Sequence, residues 1–139
     1  AHGIDHGIVV NIGQGQTIAI PVVTGDIIAG CARSCDLGSG SLTQVMMRLL
    51  HERYPFIDSR LMTWCRDLKE EHCYVAPPQP EDTRRLGLMQ RLARGDNTGI
   101  EPIQVVVPGS GSTMIELGFE RAAVPEAMFD PNMIRGPTL

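Results

Sequence analysis

Two runs of β-forming residues flank a pair of glycines near the start of this 139-residue chain, and that arrangement restricts the fold more than any other feature. Ile8-Val9-Val10 is β-branched throughout, and Thr17-Ile18-Ala19-Ile20-Pro21-Val22 alternates so that Ile18, Ile20 and Val22 share one face. Between them Gly13-Gln14-Gly15 supplies the backbone freedom of a tight loop, so the segment reads as a β-hairpin. After Gly25, residues Asp26 to Ala32 read as a third strand or an extended turn.

The period then changes. Leu42, Val45, Met46, Leu49 and Leu50 fall at the i, i+3, i+4, i+7, i+8 spacing of an amphipathic helix, which Tyr54-Pro55 should end. Ser41 followed by Gln44 is the pattern of a capping box at its start. A second helix should open with Asp58 or Ser59 as N-cap and run to about Glu71, with Leu61, Trp64, Cys65 and Leu68 on one face. Arg66, Asp67, Lys69 and Glu70 lie off that face.

Beyond Tyr74-Val75-Ala76, prolines 77, 78 and 80 break regular structure, and the stretch to Pro102 is polar and Arg-rich. It reads as a long connection with a short helix around Leu86 to Ala93, and connections of this length are usually functional or disordered. Ile103 to Val107 and Thr113 to Leu117 then read as a strand pair around Pro108-Gly109-Ser110-Gly111-Ser112. Val124 to Phe129 reads as a brief helical turn with Pro125 near its start.

Composition removes several function classes. A net charge of −4 disfavours nucleic acid or an anionic membrane as a main partner, because both demand a concentrated basic field. No apolar run reaches the roughly eighteen residues needed to cross a bilayer, and Ala1 to Gly7 lacks the order of a signal peptide, so the expectation is an intracellular protein without membrane insertion. The four cysteines, Cys31, Cys35, Cys65 and Cys73, form no CxxC pair and are too few for a disulfide scaffold; Cys65 and Cys73 read as buried thiols. His2 and His6 would pair on a metal only if helical, and Gly3 and Gly7 argue for a tail instead. Ser110 and Ser112 lack the strand-to-helix elbow and partnered His of a nucleophile, so a turn accounts for them.

The ordered series of short motifs is more specific than any one of them. Gly7-Ile8-Val9-Val10-Asn11-Ile12-Gly13-Gln14-Gly15 resembles the second phosphate-binding loop of the actins, and Pro21, Gly25, Asp36-Leu37, Leu42-Thr43 and Glu52-Arg53 follow at the expected distances. The strongest match is Arg66-Asp67-Leu68-Lys69-Glu70-Glu71-His72-Cys73-Tyr74-Val75-Ala76, and Pro125-Glu126-Ala127-Met128-Phe129-Asp130-Pro131 resembles a later actin segment. The resemblance implies an α/β fold, a partial actin-like (ribonuclease-H-like) lobe with an inserted α+β subdomain. Residues 1–57 would start the second lobe, 58–124 would form the inserted subdomain including the connection 77–102, and 125–139 would return toward the lobe. The first phosphate loop and the late glycine-rich loop of the family have no counterpart here, so this chain alone should not close a nucleotide cleft.

The same resemblance names candidate nucleotide-binding residues: Asn11, Gly13, Gln14, Gly15, Lys69 and Glu70. Backbone N–H groups of Gly13, Gln14 and Gly15 suit phosphate oxygens whatever the side chains. Carboxylates stand in the family where this chain has Asn11 and Gln14, and amides carry no charge and cannot act as a base. Because a unit-charge pair at about 4 Å is worth roughly 4 kcal/mol at an effective dielectric of 20, their loss should weaken a Mg²⁺ site and leave no catalytic residue. A purely structural hairpin and residual nucleotide binding both stay open. Lys69 and Glu70 match positions near the sugar and base, or else form a solvated helix end. Gly38-Ser39-Gly40-Ser41 also departs from the Gly-Arg-Asp that actins carry in its last three positions.

The resulting expectation is a divergent actin-related protein acting as a structural or scaffolding subunit, with ATP hydrolysis weak or lost. ATP or ADP with Mg would belong to the full-length protein and to no site of this chain alone. Partners would be other protein subunits, actin or actin-related proteins among them, in the cytoplasmic cytoskeleton or the nucleus, with the 77–102 connection as a docking surface. The rival expectation is an actin-like ATPase seen in part.

Overall fold

The computed structural model describes residues 3, 5–76, 99–130 and 132–133. The helix expected around Leu86 to Ala93, most of the connection and His2 lie outside the described residues. The chain divides into two compact units, Ala1–Ser41 and Leu42–Leu139.

The first unit is built on the hairpin that the sequence implied. Strand β1 (Gly7–Ile12) pairs antiparallel with β2 (Thr17–Val23), in a register that sets Gly7 opposite Val22 and Ile12 opposite Thr17. β3 (Asp26–Ile27) and β4 (Arg33–Cys35) share the other edge of β2, β3 against Val22 and Val23 and β4 against Thr17 to Ala19. The segment Asp26 to Ala32, expected as a third strand or extended turn, is the short strand β3 followed by a 3₁₀ turn, Ala29–Cys31, and β4 follows it as a strand the sequence did not announce. Pro21 is tolerated in this central strand because its carbonyl faces the β3/β4 edge, where it accepts from the Ile28 N–H at 3.0 Å. Its missing N–H faces the same interrupted edge. Thr24 and Gly25 both have positive φ, 54° and 80°, as a two-residue hairpin turn requires. His6 Nδ1 accepts the Thr24 N–H at 3.0 Å, so His6 is fastened to this turn rather than lying in a free tail.

In the second unit, α1 (Ser39–Arg53) from Leu42 onward buries Val45, Met46 and Leu50 of the face that the 3.6-residue period marked, with Thr43 buried beside them. Asp58 caps the next segment, its carboxylate accepting the Arg60 N–H at 2.9 Å, but the cap opens a 3₁₀ turn, Ser59–Leu61, before α2 (Met62–His72) begins. Cys65 and Leu68 of α2 are buried, with Leu61 and Trp64 packed against the core. β5 (Ile103–Val106) and β6 (Met114–Leu117) pair antiparallel with Ile103 opposite Leu117. Only one face of this hairpin is covered: Val105, Ile115 and Leu117 point into the core, while Val106 and Met114 are exposed. The Ser110 hydroxyl donates to the Val107 carbonyl at 2.6 Å, which confirms the turn.

The helix that follows β6 corrects an expectation. α3 spans Glu120–Glu126, so Pro125 sits at its end and not near its start. The helix begins early because Glu120 has a partner. This carboxylate is 0% exposed, accepts from Arg53 Nη1 at 2.5 Å, and accepts the Gly118 N–H at 2.9 Å. Burial disfavours the Arg53 charge, yet the pairing with Glu120 holds its pKa above the ordinary value. Arg53 also lies over the rings of Tyr54 and Phe119, at 5.3 and 5.8 Å from their centroids.

Two outcomes follow from this packing. Arg53→Leu strands a buried carboxylate and should cost about 3 kcal/mol, the lower end for a broken buried pair because Arg53 is itself partly solvated; urea unfolding measures it, and a loss under about 1 kcal/mol would show the pair to be unimportant. Burial pushes the Cys65 thiol up to about 11 and the Cys73 thiol up to about 12, whereas Cys31 and Cys35 are exposed. A thiol reagent at neutral pH should therefore label Cys31 and Cys35 in the native chain and reach Cys65 and Cys73 only on unfolding.

Candidate functional site

The loop joining β1 to β2 is tied to the start of α1 through backbone hydrogen bonds. The Gly13 N–H donates to the Gln16 carbonyl at 2.9 Å and closes the loop. The Gly13 carbonyl then accepts from the Ser39 N–H at 3.0 Å, and the Gln14 carbonyl from the Gly40 N–H at 2.9 Å. Ser41 N–H completes the set, donating to the Gly38 carbonyl at 3.1 Å. The first N–H groups of a helix lack partners within it, and here the hairpin loop supplies two of them.

This arrangement corrects the capping box. Ser41 and Gln44 both lie inside α1, which starts at Ser39, and the cap is tertiary. It also explains the Gly-Ser-Gly-Ser run at 38–41. A Cβ at Gly38 would stand 2.4 Å from the Gln14 carbonyl oxygen and 2.5 Å from that of Gly13, and one at Gly40 would stand 3.0 Å from the Gln14 oxygen. Only residues without side chains let the loop backbone approach the helix this closely. Thr17 adds a side-chain tie, its hydroxyl donating to the Leu37 carbonyl at 2.6 Å.

With the Gly13 and Gln14 carbonyls turned to the helix, the N–H groups of Gln14 and Gly15 donate to no backbone carbonyl among the described residues. Both residues are exposed at the loop tip. They offer two neutral donors in a fixed frame, which is what an anionic oxygen needs from a loop. Asn11 is exposed on β1 opposite Ile18, so every residue from Asn11 to Gln16 is uncharged. The loop therefore suits a phosphate oxygen but supplies no carboxylate to a hard cation such as Mg²⁺. Among the described residues there is no group of three or more His, Cys, Asp and Glu side chains that could hold a metal.

Lys69 and Glu70 lie in the other compact unit, near the end of α2. Lys69 is half-buried and its ammonium donates to the buried Thr43 hydroxyl at 3.0 Å, which joins α2 to α1. Burial pulls its pKa below the ordinary lysine value, against the pull of Glu70 and Cys73, with Arg66 acting alongside burial. Glu70 is exposed. The sequence reading missed Thr43, whose hydroxyl lies on the buried side of an otherwise apolar helix face. It also missed Gly38 and Gly40, although two glycines at the start of a helix are a usable signal of close backbone approach.

The family can now be stated from comparison with known proteins. A family model described as Actin matches residues 1–138. Actin-related protein 3 of Neurospora crassa is 29% identical over 129 residues, covering 91% of this chain and 27% of that protein. Actin-related protein 2 of Caenorhabditis briggsae is 32% identical over 135 residues, 96% of this chain and 32% of its own length. Actin-related protein 3C of Homo sapiens is 28% identical over 126 residues, 90% of this chain and 58% of its own. The chain belongs to the actin family, and its curated relatives are actin-related proteins of which it spans between about a quarter and three fifths.

Gly38→Ala should cost about 1–3 kcal/mol, since its methyl meets carbonyl oxygens rather than a side chain that can move aside. Gly40→Ala has more room and gains helix propensity, so its cost should be smaller. Urea unfolding of the two variants checks the order, and equal costs would show that the loop is not held at Gly38.

Proposed function

We propose that this chain is part of a divergent actin-related protein that serves as a structural subunit of a larger protein assembly, with nucleotide hydrolysis weak or lost. The observation that carries this reading is the uncharged loop from Asn11 to Gln16, held in a rigid backbone frame. Donors for an anion persist there. A metal-organising carboxylate and a general base do not, and phosphoryl transfer depends on positioned charge.

A nucleotide, ATP or ADP, would in this reading be a structural ligand of the full-length protein, with the N–H groups of Gln14 and Gly15 as the donors that the first unit offers it. Bound Mg²⁺ would contribute less than in a site with carboxylates at positions 11 and 14. The division into a lobe start (1–57), an inserted subdomain (58–124) and a return segment (125–139) belongs to the same proposal.

Support for protein partners comes from the first unit. Ile8, Val9, Val10 and Ile12 of β1 are between 57% and 70% exposed, and Val23 and Ile27 are also exposed. Contiguous apolar surface of this kind marks contact sites in soluble proteins. No helix among the described residues is long and apolar enough to cross a membrane. We assign the cytoplasmic cytoskeleton as the site of action, with the nucleus as a second compartment, and other actin-family subunits as the partners.

Calorimetric titration of the full-length protein with ATP, with and without Mg²⁺, tests the reading. Binding that changes by less than about tenfold when Mg²⁺ is removed, without phosphate release, is the expected result. Micromolar binding that requires Mg²⁺ and proceeds to turnover would overturn it in favour of an actin-like ATPase. Asn11→Asp with Gln14→Asp should make binding more dependent on Mg²⁺.

A further inference from the structure

The chain enters the Pro- and Arg-rich connection after Ala76 and leaves it before Gly99, and both flanks converge on a single side chain. Arg121, near the start of α3, donates from Nε to the His72 carbonyl at 3.0 Å and from Nη1 to the Glu101 carbonyl at 2.5 Å. Its guanidinium lies over the Tyr74 ring, 5.3 Å from the centroid. The Tyr74 N–H donates back to the Arg121 carbonyl at 3.0 Å. A guanidinium is rigid and planar, so the two carbonyls bonded to Nε and Nη1, on different edges of that plane, are held in a fixed relation to each other.

We propose that Arg121 is a clasp that closes the neck of the connection, so that the unit from Leu42 onward folds without instruction from residues 77–98. The cost of closing a loop rises only slowly with its length once the ends are held together. A clasp built from α3 thus allows the connection to change length and sequence without loss of the strand pairing that follows it. Lysine cannot replace arginine here, because a single ammonium does not carry donors on two edges of a rigid plane. The proposal does not depend on the assembly reading.

The test uses the whole chain, with thermal unfolding and hydrogen exchange at the Tyr74 amide as readouts. Replacing residues 77–98 with a short Gly-Ser linker should leave one cooperative transition, with Tm shifted by less than about 5 °C. Arg121→Met keeps the apolar stem and removes the fork; in the natural chain it should speed Tyr74 exchange about tenfold or more, and Arg121→Lys should do nearly the same. In the short-linker chain the tether itself holds the flanks together, so Arg121→Met should speed exchange by less than about threefold. Unchanged Tyr74 exchange in the natural Arg121→Met chain would overturn the proposal. So would equal acceleration in both backgrounds, or loss of cooperative unfolding in the linker chain. If Arg121→Met does not fold in the natural chain, its folding or failure in the short-linker chain decides between a clasp and a general packing role.

Discussion

A carboxylate without solvent contact sets the terms for the unit from Leu42 onward. Glu120 cannot be buried with its charge unless its oxygens are satisfied, and Arg53 and the Gly118 N–H satisfy them. The demand fixes three elements at once. It draws the C-terminal end of α1 to the end of β6 and makes Glu120 the first residue of α3. Tyr54 reinforces the join, its hydroxyl accepting the Glu116 N–H at 3.2 Å. The apolar core formed by α1, α2 and the β5–β6 hairpin is generic aliphatic packing, whereas this polar join selects one arrangement of those elements.

The first unit rests on a constraint of another kind, close backbone approach. There the β1–β2 loop turns its carbonyls to the N-terminus of α1, and glycine at position 38 makes room for them. The geometry has a functional corollary. Because carbonyls satisfy the helix N–H groups, the donors left for an anion are those of the loop tip, Gln14 and Gly15. A frame of N–H donors of this sort is set by backbone and does not depend on the side chains around it, whereas the organisation of a metal depends on side chains.

The β1 side chains are exposed in this unit. A strand whose apolar residues face solvent on both faces contributes little stability by itself, since hydrophobic stabilisation scales with area removed from water. Such a strand is stabilised when another surface covers it. The aliphatic bias of the chain, with aromatics at 4%, leaves few large anchors to compensate.

Much of this was legible in the sequence. A β-branched run placed β1, alternation placed β2, the strand pair around Pro108 to Ser112 placed β5 and β6, the 3.6-residue period placed α1 and α2, and Asp58 announced its own cap, because each of these signals is local. The ordered motifs from Gly7 to Gly15 and from Arg66 to Ala76 carried the family. What escaped were effects between residues far apart in sequence. The α1 cap comes from Gly13 and Gln14, about twenty-five positions away, so the local Ser41–Gln44 pattern pointed to the wrong start. The early beginning of α3 depends on Arg53, sixty-seven positions from Glu120. Lys69 is anchored by Thr43, which no spacing rule connects to it. The sequence by itself determined β1, β2, α1, α2, β5 and β6 and that the loop is uncharged. Only the tertiary structure decided which backbone groups of the loop tie it to the helix, because that depends on where its carbonyls find donors.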